Sequence, residues 1–341
     1  MGVALQNASS FLKRWNMRVE DLTRYVRPLD PTETLVLVGS VPEGLANPLS
    51  DVDMFIIGDR KFDEGIVVNE SDFQEMSINT ADAPEINVEY WHSNDLEKLE
   101  KRMANLFSLL RDPSLVGGPS KLKKVERFDF SELLIMHRIR TGIVLANPGI
   151  AESWRERLYL DQLPLYIILH GLGTHNIYRE DTIAQVRYGD NLSALGMLHI
   201  MMDHLASAIL ASVGETNPYP KWRMRLLNWY KGDLGEETIE NFVRYMFPNP
   251  KEPASETVRG AFKFADSAVA GIASRCPQVI SAMLEMNDPV ARALAAKFDP
   301  VRMPNLRLSE QDADDLISFL HQENAKLVEA PAPARPHEHK H

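Results

Sequence analysis

Residues 35–59, LVLVGSVPEGLANPLSDVDMFIIGD, carry the types and spacing that could do chemistry. An apolar run ends in Gly39-Ser40, and after ten intervening residues Asp51, Val52 and Asp53 open a second apolar run. Side chains alternate across a strand, so Asp51 and Asp53 share one face and Val52 takes the other. Two carboxylates on one face repel each other unless a cation lies between them, and oxygen-only donors completed by water suit Mg²⁺. Glycine at a strand end lets the backbone turn tightly and approach a ligand. The Ser40 hydroxyl, with N–H groups at a following helix start, suits phosphate oxygens. Each half alone has a plainer reading: Asp51 ends a turn while Asp53 faces solvent, and Gly-Ser is an ordinary turn. Together they describe a triphosphate beside a metal.

The surrounding elements must hold these residues in place. Runs with strand length and composition occur at 34–38, 52–57, 65–69, 73–78 and 86–91, and a capped helix is expected over 96–110. Ahead of them, Phe11, Leu12, Trp15, Val19, Leu22 and Val26 recur at spacings of three and four, predicting one amphipathic helix within 1–27, stopped near Pro28. Pro113, Gly117, Gly118 and Pro119 make the best linker. Beyond it the period is helical, at 130–146, 152–187, 190–213, 219–231, 236–247, 255–274 and 309–327. The expected organisation is α+β: a sheet domain over 1–115, an all-α helical domain over 125–328, and a disordered His-rich tail over 329–341. Within that tail, His337, His339 and His341 offer metal ligands, with a solubilising end as the plainer reading.

Composition sets further bounds. The 341 residues carry a net charge of -11, of which -9 falls in 1–115 and -2 in the remainder. An acidic field of this kind repels a nucleic-acid backbone and favours metal ions or a cationic acceptor, although acidity also simply aids solubility. The single cysteine, Cys276, has no disulfide partner, and the N-terminus has no secretory pattern, so a cytoplasmic location is expected. Residues 192–213 are apolar enough to suggest a membrane span, but His199, Asp203 and His204 interrupt them, and a buried core helix is the better reading.

The segment VGSVPEGLANPLSDVDMFI resembles the DNA polymerase β-type nucleotidyltransferase superfamily: a hydrophobic strand, Gly-Ser, about ten residues, then Asp-x-Asp on the next strand. The resemblance spans about residues 34–92. It implies a third carboxylate on a later strand, and INVEYWH supplies Glu89 there, preferred over Asp82 and Glu85, which lie in the loop around Pro84. It also implies an N-terminal catalytic domain with a mixed sheet flanked by helices, and transfer of a nucleoside monophosphate from an NTP with two Mg²⁺ ions. Asp51 and Asp53 would bridge one ion, and Glu89 would share the second or act as general base. Gly39 and Ser40 would bind the nucleotide.

The helical part is similar to the domains attached to antibiotic-type and other small-molecule nucleotidyltransferases, carried by RYGDNLSALGMLHIMMDHLASAILASVGETNPYPKWRMRLLN. Asp190 reads as a helix N-cap, and Lys221, assisted by Arg223 or Arg225, as a phosphate ligand set against an ordinary solvated lysine. His199 and His204 are not spaced as a metal pair, Met197, Met201 and Met202 read as packing, and Trp91 with His92 reads as core or as an acceptor-pocket lining. The resulting expectation is transfer of AMP from ATP to a hydroxyl of a small acceptor, with a cationic antibiotic or natural product as the candidate, and release of pyrophosphate. Nucleic acid and membrane are not expected partners. The competing expectations are a toxin-like enzyme modifying a protein or tRNA, and a non-catalytic nucleotide sensor.

Overall fold

The computed structural model describes residues 2–59, 74–78, 84–111, 127–249, 251–277 and 279. The expected strand at 65–69, the linker, Asp82, the helix at 309–327 and the His-rich tail lie outside them. The chain divides into two units, Met1–Ser108 with Phe128–Leu163, and Leu109–Arg127 with Pro164–His341. The fold class is α+β.

The first unit is built on β1 (Thr34–Val38), β2 (Val52–Gly58), β3 (Gln74–Ile78), β4 (Ile86–His92) and β5 (Ile143–Ala146), in the order β3-β4-β2-β1-β5. β2 runs parallel to β4, and the other pairings are antiparallel, so the sheet is mixed. Period-2 alternation sorts its two faces. Leu35, Leu37, Val52, Met54, Ile56, Ile86 and Val88 form a core with Ala8, Phe11, Leu12, Val19 and Leu22 of the N-terminal segment. The other face bears Asp51, Asp53, Phe55, Asn87 and Glu89.

That N-terminal segment is not one helix. α1 (Gly2–Leu12) gives way to two 3₁₀ stretches, Lys13–Trp15 and Val19–Tyr25. Asn16, at φ 55°, donates its N–H to the Lys13 carbonyl and ends the first stretch in the left-handed region, a conformation asparagine tolerates.

A second difference shapes the site. The helical period expected over 130–146 covers a helix, α4 (Phe130–Thr141), and then an edge strand, β5. Ile-Val-Leu-Ala is too short a run for periodicity to separate strand from helix, whereas the flanking Gly142 and Asn147-Pro148 permit the turns. A Cβ on Gly142 would lie 2.5 Å from Val36 Cγ1 and 2.9 Å from the Leu37 carbonyl oxygen, so only glycine lets α4 turn this tightly onto β1. Phe128–Leu163 thereby groups with the sheet, where a helical domain had been expected from 125. Between α2 (Ser40–Glu43), α3 (Ser93–Arg111) and α5 (Pro148–Arg157), α4 is fixed at both ends. Asp129 and Glu132 form a reciprocal capping box at its start, and Glu132 also pairs with Arg102 of α3. At its end, Arg155 of α5 donates to the Ile139 and Gly142 carbonyls at 3.0 and 2.7 Å.

The second unit is helical where described: α6 (Leu163–Tyr188), α7 (Asn191–Ala211), α8 (Arg223–Trp229), α9 (Lys231–Leu234), α10 (Glu236–Met246) and α11 (Ala254–Arg275). The expected helix at 152–187 is interrupted at Leu158 and Tyr159, the latter at φ 53°, giving α5 and α6. Asp190 caps α7 by accepting from the Ser193 N–H at 3.0 Å. α7 is long and apolar enough to cross a membrane, yet Leu198, Met201, Met202, Leu205 and Ile209 are buried within the unit, the arrangement of a core helix. A buried ion pair, Arg179–Asp266 at 2.7 Å, ties α6 to α11.

Candidate active site

β1 ends at Gly39, whose φ of 76° carries the chain sharply into α2. A Cβ on Gly39 would lie 2.4 Å from Asp53 Oδ2. Glycine is therefore required twice, by the left-handed backbone and by the carboxylate against which it passes. Ser40 opens α2, which is a single four-residue turn, so the expected helix start supplies only local N–H groups and no extended dipole.

Asp51 and Asp53 lie on one face at the start of β2, as the alternation predicts. Asp51 Oδ2 accepts from Asn87 Nδ2 at 2.8 Å, and Asn87 Oδ1 accepts from the Ser77 hydroxyl at 2.6 Å. Asn87 is the residue in register with Asp53 across the parallel β2–β4 pair, while Glu89 stands opposite Phe55. Glu89 Oε1 accepts from Arg138 NH1 at 2.8 Å, and the same guanidinium reaches Asp53 Oδ2 from NH2 at 3.4 Å. Arg138 is largely buried, with its guanidinium carbon 5.5 Å from the centre of the Phe55 ring. The preceding residue, His137, sets Nε2 3.1 Å from Glu43 Oε2 at the end of α2. Two consecutive α4 residues thus reach the turn after Gly39 and the carboxylates beside it.

This donor set fits a hard divalent cation. Asp51 and Asp53 offer carboxylate oxygens on one face, and the backbone at Gly39 leaves room beside Asp53. Among the described residues no group of three or more His, Cys, Asp or Glu side chains is gathered for a metal, so phosphate and water oxygens would complete the coordination.

Residues 19–112 match the family model of the nucleotidyltransferase domain. That domain makes the chain a transferase of phosphorus-containing groups. A solved nucleotidyltransferase-like protein from Exiguobacterium sibiricum 255-15 is similar over 91% of this chain and 89% of its own, at 11% identity and a TM-score of 0.38. No curated protein matches the sequence. The nucleotidyltransferase match contains Gly39, Ser40, Asp51, Asp53, Asn87 and Glu89 and stops before α4, so His137 and Arg138 lie beyond it.

Other expected residues have settled positions. Lys221 belongs to the second unit, in a 3₁₀ turn (Pro220–Trp222), with its ammonium 4.6 Å from the Tyr219 ring centre and 5.2 Å from that of Trp222. Arg223 is buried and donates to the Asn217 and Pro218 carbonyls, a structural use. Trp91 packs 6.0 Å from Phe55, in the core, and His92 Nδ1 accepts from the Asn94 N–H. His204 stacks with Tyr178 and meets His170 edge-on, whereas His199 lies near the Met246 carbonyl. Arg138, His137 and Asn87 escaped the sequence reading. Alternation could have found Asn87, two residues before Glu89 on the same face; no local pattern marks the other two.

Proposed function

We propose that the protein transfers a nucleoside monophosphate, AMP from ATP, to a hydroxyl of a small acceptor and releases pyrophosphate. The observation that carries this reading is the approach of Gly39 to Asp53, with Asp51 on the same face, within residues that match a nucleotidyltransferase domain. Asp51 and Asp53 would hold Mg²⁺, which supplies charge neutralisation at the triphosphate and the leaving pyrophosphate. Asn87 orients the Asp51 carboxylate, and Ser77 in turn holds the Asn87 amide. Gly39 and Ser40 offer the backbone and hydroxyl groups for phosphate oxygens, and α4 braces that turn through His137 and Glu43. The second unit would choose the acceptor, with Lys221 as a phosphate ligand. The acidic first 115 residues favour a cationic acceptor, and one cysteine suits the reducing cytoplasm.

The test is incubation with Mg²⁺ and each NTP over a panel of hydroxylated amines and sugars, with mass spectrometry for a nucleotide-sized adduct. An adduct lost in Asp53→Asn supports the reading. Pyrophosphate release by the Asp51→Asn, Asp53→Asn double variant at the wild-type rate overturns it. Radioactive label from ATP on a protein band, with none on a small molecule, would instead identify a protein-modifying enzyme.

A further inference from the structure

We infer that Arg138 is a built-in cation of this site and Glu89 its anchor, so that the protein takes up one divalent ion, at Asp51 and Asp53, where a pair would need Glu89 as a ligand. The inference rests on the metal-dependent reading above and adds to it a residue outside the matched domain.

Three observations converge. First, the Glu89 carboxylate is committed: it accepts from Arg138 NH1 at 2.8 Å, and both side chains are largely buried, at 11% and 15% exposure. Drawing Glu89 away to a metal would break a largely buried ion pair, which is costly. Second, register places Glu89 beside Phe55, two residues along the strand from the position that faces Asp53. The facing position holds Asn87, whose amide is a neutral donor to Asp51 and is itself fixed by Ser77. No second carboxylate lies directly across from Asp53. Third, before any nucleotide binds, the carboxylates of Asp51, Asp53 and Glu89 with the Arg138 guanidinium leave two negative charges, the charge of one divalent ion. Arg138 is thereby a positioning residue. Its NH2 lies 3.4 Å from Asp53 Oδ2, the same oxygen against which Gly39 passes, and so fixes that carboxylate beside the turn.

The stoichiometry of Mn²⁺ binding to the full chain tests this, measured by electron paramagnetic resonance of free Mn²⁺ without added nucleotide, which would itself chelate the ion. One ion per wild-type chain is expected. Asp53→Asn should weaken it at least about tenfold, whereas Glu89→Gln should leave the count at one and the affinity within about threefold. Arg138→Met should tighten Mn²⁺ about tenfold by removing a neighbouring positive charge. Arg138→Lys, which keeps the charge, should stay near wild type. Two ions on the wild-type chain, or loss of an ion in Glu89→Gln, would overturn the inference and leave the proposed reaction standing. Unaltered binding in Asp53→Asn would instead remove the metal site itself, and the inference with it. The wild-type count and the Glu89→Gln variant decide the matter even if Arg138→Met fails to fold.

Discussion

Asp53 sits where three parts of the first unit meet: the backbone of Gly39, the strand that carries Asp51, and the guanidinium of Arg138. Asp53→Asn preserves shape and removes charge, so turnover should fall about 10³-fold or more while the thermal unfolding midpoint changes little. Gly39→Ala acts differently. Its methyl group would collide with Asp53 Oδ2 and its backbone would be strained at φ 76°. A displacement of about 1 Å in a catalytic group costs on the order of 10²-fold, and turnover of Gly39→Ala should drop by about that much. Circular dichroism checks that the fold survives. The shared face of the two aspartates was legible because strand alternation is local information. Arg138 was not, since 49 residues separate it from Glu89 and nothing in its neighbourhood distinguishes it from Arg140 two positions on. A residue that acts by crossing from a helix to a distant strand leaves no short-range signature.

At the scale of elements, α4 and β5 decide how much of the sheet the sequence reveals. β1, β2 and β4 stand where their β-branched runs predicted, because each has enough residues for its pattern to be read. β5 has four, and it borrows its definition from pairing with β1. The breaks at Asn16 and Tyr159 were missed for a related reason: single left-handed residues interrupt a helical period without altering it. The helical unit has its own weak point in the Arg179–Asp266 pair, where the carboxylate is completely buried. Asp266→Ala would leave an uncompensated buried guanidinium and should cost about 3–5 kcal/mol in chemical denaturation. Replacing both partners by apolar residues, Arg179→Met with Asp266→Leu, should recover most of that loss. A double variant no more stable than Asp266→Ala would show that the pair is needed for more than charge balance.

Acid response belongs to the whole chain, and its strongest contributions come from the helical unit. Burial pushes His175 down to about 3 and His170 down to about 4, the latter helped by the nearby His204. Both stay neutral in the folded state while the unfolded chain takes up protons below about 6.5. Their stabilising contribution is thus complete above pH 6.5 and is lost as pH falls, by about 1.4 kcal/mol per pH unit for each histidine until the folded value is reached. Denaturation midpoints measured between pH 7 and 4.5 should fall accordingly, and His175→Phe should flatten the slope. A chain ended at residue 125 should fail to unfold cooperatively, since it lacks the edge strand beside β1 and the residues that brace the turn at Gly39; a chain carried through residue 163 regains both. Arg138 and β5 follow the Pro/Gly-rich segment in sequence and yet group with the sheet. The two units are therefore not two cassettes joined end to end. A recombination event at the Pro/Gly-rich segment would separate the sheet from its buried arginine and its edge strand, so everything downstream cannot be exchanged as one piece without rebuilding both.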